Sequence, residues 1–209
     1  MRYDYYYYYF KSVLPERLCD DIIKYGKSKN PNRAVTGSDY IDPKTNEIIL
    51  SEHSKKIRKS KTAWLSDIWL YREVQPYLKE ANKKAGWNFQ WDFCEALQFT
   101  EYGLNEHYDW HVDAWNEPYV NHKEKKLENK IRKISMTLSL NDSTEYTGGE
   151  LEFDFREKGI EESTEQKCNE ILTKGSMVFF PSFVWHRVKP VTKGTRYSLV
   201  MWACGNPYI

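Results

Sequence analysis

His111 and Asp113 stand two residues apart in His107-Tyr108-Asp109-Trp110-His111-Val112-Asp113, a stretch whose apolar flanks read as strand. On a strand, residues i and i+2 share a face with Cα atoms roughly 6–7 Å apart, so an imidazole and a carboxylate can converge on one ion. The pair alone is a weak signal, because a solvated His–Asp pair has the same spacing. A third donor strengthens it: His186 lies downstream in Trp185-His186-Arg187-Val188, and Arg196 follows ten residues later. Two histidines and a carboxylate on one side of an ion form a facial triad that suits Fe(II) and leaves positions open for a bidentate 2-oxo acid and O₂. A fixed cation beyond the second histidine would pair with the distal carboxylate of such an acid, and the planar fork of an arginine matches a carboxylate at two points.

The surrounding residues extend the pattern. Arg132-Lys133-Ile134-Ser135-Met136-Thr137-Leu138-Ser139-Leu140 is followed by Gly148-Gly149-Glu150-Leu151, and Phe180-Pro181 leads through His186 and Pro190 to Gly194-Thr195-Arg196-Tyr197-Ser198-Leu199. With His111-x-Asp113, these stretches resemble the 2-oxoglutarate- and Fe(II)-dependent dioxygenases, specifically the prolyl 4-hydroxylase-like branch, from about Val13 to Trp202. The resemblance implies a mainly β, α+β fold: a double-stranded β-helix, or jelly roll, with N-terminal helices packed on one sheet. It makes His111, Asp113 and His186 the iron ligands and Arg196 the partner of the 2-oxoglutarate C5 carboxylate, where many prolyl 4-hydroxylases carry lysine. Tyr108 matches a tyrosine lining the co-substrate pocket, and Ser135 a position usually held by threonine that hydrogen-bonds the same carboxylate. Trp202 matches a tryptophan near the reacting centre. Tyr102 and Trp185 are further pocket-lining candidates, with core packing as the alternative. Ser139 departs from the tyrosine that relatives often carry. His107 is not needed as a ligand once the triad is complete.

The chemistry so implied consumes 2-oxoglutarate and O₂, releases succinate and CO₂ and hydroxylates a substrate, with ascorbate as reductant for the iron. Relatives that halogenate replace the triad carboxylate with a small residue, so Asp113 points to hydroxylation. The expected substrate is a prolyl residue in a peptide or protein. Alternatives are the same chemistry on another side chain, a free amino acid or a nucleobase, and, more remotely, a non-catalytic jelly-roll binding module. An extended chain is favoured over free proline because the polar insert from Lys27 to Lys61 and the basic stretch from His122 to Lys133 are long enough to wall a groove. Proline-rich chains are also pre-ordered and lose less entropy on binding. No second cation stands out in the motifs for the termini of a free amino acid.

Composition agrees with one domain of 209 residues, divided into helical support over about 13–86 and a jelly-roll core over about 89–204. A net charge of +1 gives no field for nucleic acid or a membrane surface, and no apolar run approaches a membrane span. Cys19, Cys94, Cys168 and Cys204 are too scattered for a disulfide framework, and a cytoplasmic, reducing setting is expected.

The elements that must position the site can be read in order. Tyr5 to Phe10 reads as an edge strand, or alternatively as an aromatic contact surface. Val13-Leu14-Pro15-Glu16 opens a helix carrying Leu18, Ile22, Ile23 and Tyr25; Gly26 to Thr36 reads as loop, and Gly37 to Ile49 as a short strand or hairpin. Arg58 to Leu65 resembles the family's leading strand. A second helix spans Asp67 to Gly86, with a break possible at Pro76. Eight strands follow: Gln90 to Tyr102, His107 to Asp113, Lys133 to Leu140, Glu150 to Phe155, Asn169 to Leu172, Ser176 to Phe180, Trp185 to Val188 and Tyr197 to Trp202. The basic stretch reads as solvated loop or as a flank of the substrate mouth, and Glu161, Glu162 and Glu165 form an acidic loop.

Overall fold

Met177–Pro181 is buried at every position, as a short continuous apolar run covered on both faces should be. Its side chains alternate between two cores. Met177 and Phe179 join a cluster shared with the helices, whereas Val178 and Phe180 join a second cluster with Leu151, Phe153 and Val188 of another sheet. The computed structural model describes residues 5–37, 39–42, 45, 48–114, 117–120, 124–155 and 165–208.

Two antiparallel sheets form the jelly roll. The larger runs, in spatial order, Tyr8–Phe10, Met177–Pro181, Ile131–Ser139, Arg196–Gly205, Leu97–Tyr102, Lys61–Leu65 and Asn32–Arg33, and Phe93–Cys94 also pairs with Arg196–Gly205. The smaller runs Glu165–Lys167, Leu151–Asp154, Trp185–Val188, His107–His111 and Arg58–Lys59. The helices Glu16–Ser28 and Ile68–Lys84 bury Cys19, Ile22, Leu70, Val74 and Leu78 against the outer face of the large sheet. None of the helices among the described residues is long and apolar enough to cross a membrane. All four cysteines are buried and unbridged.

Of the aromatic tract only Tyr8–Phe10 is strand, at the edge of the sheet with Tyr8 opposite Phe179, and the Tyr40–Ile41 and Ile48–Ile49 hairpin forms as expected. Four expectations are corrected. The first helix runs on through Gly26 to Ser28, into the stretch expected to be loop. The second long helix continues through Pro76, which is exposed, so the carbonyl deprived of its partner lies on the solvent side where water can serve it. Asn169–Ile171 is a 3₁₀ turn rather than a strand, and only Ile171 of it is buried. The strand from Gln90 is interrupted: Phe93–Cys94 and Leu97–Tyr102 are separate, and between them Glu95 is buried rather than left at the surface. A short helix, Glu52–Ile57, capped by the Ser51 side chain, had no clear periodic signal. Of the acidic loop, Glu161 and Glu162 lie outside the described residues.

Gly26 sets how closely the first helix lies on the sheet. A Cβ there would stand 2.3 Å from the Phe99 ring, inside van der Waals contact. Gly26→Ala is therefore expected to cost about 1–3 kcal/mol through overpacking. In calorimetry this is a fall of about 2–4 °C in the melting midpoint per kcal/mol; an unchanged midpoint would mean the contact relaxes freely.

Candidate metal centre and adjoining cavity

His186 sits in the middle strand of the small sheet, directly opposite His111 of its neighbour. That strand ends at His111, so Asp113 does not continue it as the i, i+2 reading expected. Asp113 occupies a bend held from the other sheet: the Asp113 and Ala114 amides donate to the Ser182 carbonyl at 2.9 and 2.8 Å, and the Ser182 amide donates to Lys133. The convergence is thus built by the contact between the two sheets as much as by strand periodicity.

Each histidine is oriented in the same way. His111 Nδ1 lies 2.7 Å from the Asp109 carbonyl and His186 Nδ1 2.9 Å from the Val184 carbonyl. A carbonyl can only accept, so both Nδ1 atoms carry a proton, and both Nε2 atoms face Asp113. Asp113 Oδ1 is 3.8 Å from His111 Nε2, and its Oδ2 is 3.5 Å from His186 Nε2. One donor atom from each residue lies within 4.8 Å of the others. Two ring nitrogens and a carboxylate brought this close, in residues with little exposure to water, form a donor set that suits a cation.

Electrostatics point the same way. Burial works against the Asp113 charge, but His186, His111 and Arg132, together with a hydrogen bond from Ser135, hold its pKa at about 2. Burial, reinforced by His186, drives the His111 pKa well below its usual value and keeps its lone pair available.

Ser135 is placed differently from expectation. It donates to Asp113 Oδ2 at 2.7 Å and contacts Ser182 Oγ at 2.9 Å, so it braces the triad carboxylate instead of reaching toward Arg196. Thr100, Thr137 and Ser198 are among the hydroxyl-bearing residues on the cavity wall with Arg196. Thr137 is two positions beyond Ser135 on the same strand and shares its face. Removing a group that orients a ligand typically costs 10- to 100-fold in metal affinity. Ser135→Ala is expected to weaken Fe(II) binding by about that factor while 2-oxoglutarate affinity of the metal-loaded protein falls less. A larger loss in 2-oxoglutarate affinity would restore the original reading.

The triad opens onto a cavity walled by Tyr102, Tyr108, Arg196 and Trp202, among others. Tyr108 stacks on His111 with ring centroids 3.5 Å apart. Arg196, opposite Tyr102 in the sheet, is only 2% exposed. Its Nη1 reaches Ser198 Oγ at 3.4 Å, while Nη2 is buried without a hydrogen-bond partner; among the described residues the other such side-chain atom is Trp202 Nε1. Two orphaned donors on the wall of one cavity fit a ligand rich in acceptors, as a dicarboxylate is. Gly149 makes room for the arginine: its φ is +65°, and a Cβ there would lie 3.0 Å from Arg196 Cδ and 2.9 Å from Val191 Cγ2.

Trp185 does not line the cavity; it is 51% exposed. Ser139 is buried away from it and bonds the Asn141 carbonyl. His107 faces the Lys56 carbonyl, outside the triad. His122 and Lys123 of the basic stretch lie outside the described residues; of the rest, Lys130 pairs with Asp92, Lys133 lies over the Tyr208 ring, and Arg132 makes two 2.7 Å hydrogen bonds to Glu95. Arg132 also lines the cavity, with its guanidinium 3.9 Å from the Trp202 ring centre. Arg58 is a further buried cation on the wall, so the expectation of no second cation is corrected. Arg58 was visible only as part of a leading strand, and no local signal marked Glu95.

A profile described as the 2OG-Fe(II) oxygenase superfamily matches residues 97–204. A PKHD-type hydroxylase of Pseudoalteromonas atlantica is 33% identical over 106 residues, covering 50% of this chain and 41% of that protein. The chain thus spans less than half the length of the curated relatives it matches. Among solved structures, a Pseudomonas putida prolyl-4-hydroxylase superposes with a TM-score of 0.63 at 18% identity, covering 95% of this chain and 91% of that one. A Trichoplax adhaerens prolyl hydroxylase, in complex with a hypoxia-inducible-factor oxygen degradation domain peptide fragment, gives 0.65 at 18%, covering 95% and 83%. At those identities the likeness is one of fold. The profile match takes in the strands that carry the two histidines, the bend with Asp113 and the strand that begins at Arg196, and the chain belongs to the 2OG-Fe(II) oxygenase superfamily.

Proposed function

We propose that the protein is a 2-oxoglutarate- and Fe(II)-dependent dioxygenase that hydroxylates prolyl residues in a peptide or protein, releasing succinate and CO₂. The observation that carries this reading is the convergence of His111, Asp113 and His186 beside a cavity into which a buried arginine brings an unpartnered donor. In it, the three triad residues hold Fe(II), and Arg196 takes the distal carboxylate of 2-oxoglutarate. Tyr108, Tyr102 and Trp202 wall the co-substrate. Held by His111, Asp113 and His186, Fe(II) would supply the redox chemistry that links oxidative decarboxylation of 2-oxoglutarate by O₂ to hydroxylation of a substrate C–H bond, with ascorbate as its reductant. The protein residues orient the co-substrate and exclude water; no protein acid–base pair is required.

The prolyl substrate is supported by the hydroxylase relatives and by the fold shared with prolyl hydroxylases. Residues 13–86, taken as helical support that also lends the strands Asn32–Arg33, Arg58–Lys59 and Lys61–Leu65 to the two sheets, and the core over 89–204 together make one oxygenase domain. A cytoplasmic location suits Fe(II) and four free cysteines. The test measures succinate formation with no substrate, with free L-proline and with a proline-containing peptide, and analyses products by mass. Peptide-dependent succinate with one oxygen added at proline is the expected result. Stimulation by free proline alone, with peptides inert, would overturn the peptide reading.

A further inference from the structure

Arg58 begins the short strand Arg58–Lys59 and pairs with Tyr108 across the sheet. Its guanidinium lies 4.4 Å from the Tyr108 ring centre, and that ring stacks in turn on His111, so the cation is one ring removed from the metal centre. It lines the cavity, yet the residue is only 6% exposed. Its hydrogen bonds go to neutral oxygens: Nε donates to Ser60 Oγ at 3.1 Å and Nη2 to Gln98 Oε1 at 2.8 Å. Among the described residues no carboxylate forms an ion pair with it.

The other charges around the cavity are matched in pairs. Glu95 takes Arg132 at two points. In the proposed function, the distal carboxylate of 2-oxoglutarate takes Arg196, and its other carboxylate with Asp113 balances Fe(II). Arg58 alone keeps an uncompensated charge. A substrate that fills the cavity excludes water from it, and a buried cation without a counter-charge is then strongly disfavoured.

We propose that Arg58 is a specificity residue that receives a carboxylate of the substrate, so that the preferred substrate carries a carboxylate close to the residue hydroxylated. The inference deepens the proposed function and rests on its placement of iron and 2-oxoglutarate. An acidic side chain beside the target and a chain-terminal carboxylate offer the same chemistry, and either answers the planar fork of the guanidinium.

The test uses the Fe(II)- and 2-oxoglutarate-loaded protein without O₂ and measures peptide binding by calorimetry. Three proline-containing peptides are compared: one neutral with an amidated end, one amidated with Glu beside the proline, and one neutral with a free carboxylate directly after the proline. Alanine-for-proline versions of the three are run alongside. At least one carboxylate-bearing peptide is expected to bind about tenfold more tightly than its neutral counterpart, the fold-change of a single charge-assisted contact. Arg58→Gln is expected to remove that preference and Arg58→Lys to restore part of it. Which peptide gains identifies the source of the carboxylate. Equal binding of neutral and carboxylate peptides, no binding by any carboxylate peptide, or an equal loss for all peptides in Arg58→Gln would overturn the proposal. Turnover with O₂ separates the two readings. If the carboxylate preference appears in both series but no proline is hydroxylated, Arg58 keeps its role and the prolyl assignment fails.

Discussion

His186→Ala is expected to abolish succinate formation while the chain remains folded. His186 supplies one of three donors, and its ring is oriented by the Val184 carbonyl so that Nε2 faces Asp113. Altering a group that merely orients a ligand already costs about 10- to 100-fold in affinity or activity; removing the ligand should cost more than that. The ring is buried beside Phe180, with centroids 4.7 Å apart, so truncation also leaves a small void. That void should cost about 0.5–3 kcal/mol, the ordinary range for a single substitution. The strand itself stays paired on both sides, with Leu151–Asp154 and His107–His111. Circular dichroism should therefore show a folded protein at 25 °C alongside the lost activity. Wild-type succinate production by this variant would remove His186 from the metal site.

Arg196→Met is expected to raise the requirement for 2-oxoglutarate by about 10²–10⁴-fold, from two charge-assisted hydrogen bonds of roughly 1.5–3 kcal/mol each. Methionine keeps much of the apolar stem in a site only 2% exposed, so the loss is of charge and fork more than of packing. Arg196→Lys keeps the charge but not the planar pair of donors, and a smaller increase is expected. The comparison is read from 2-oxoglutarate-dependent succinate formation at saturating Fe(II). An unchanged requirement in Arg196→Met would leave the orphaned Nη2 without a ligand and remove Arg196 from the co-substrate site.

The convergence of His111, Asp113 and His186 beside Arg196 was legible because it depends on residue type and on intervals that survive folding. His111, Asp113, His186 and Arg196 are far apart in sequence, but all sit at or just beyond strand positions whose alternation is readable. Less legible was anything set by contact between the sheets. Asp113 is placed by hydrogen bonds to Ser182, not by its own strand, and this same junction brings Ser135 under its carboxylate. The Glu95–Arg132 pair joins residues 37 apart in sequence and interrupts an expected strand, with no periodicity to announce it. Arg58 carried a resemblance to a leading strand, but its stacking on Tyr108 follows from pairing with a distant strand. The helix through Pro76 shows the opposite case, a strong local signal overridden because the exposed face tolerates the missing hydrogen bond.

The central claim is that His111, Asp113 and His186 hold Fe(II) in a site completed by 2-oxoglutarate anchored on Arg196. Anaerobic equilibrium dialysis of Fe(II), with and without 2-oxoglutarate, tests it most directly. Because linkage is reciprocal, a co-substrate that binds the metal must raise the affinity for it. The expected result is one Fe(II) per chain, bound more tightly when 2-oxoglutarate is present. Arg196→Met should lose that enhancement while keeping Fe(II) binding in its absence, and His186→Ala should lose stoichiometric binding under both conditions. Full binding by His186→Ala, or an Fe(II) affinity in the wild-type protein indifferent to 2-oxoglutarate, would contradict the claim.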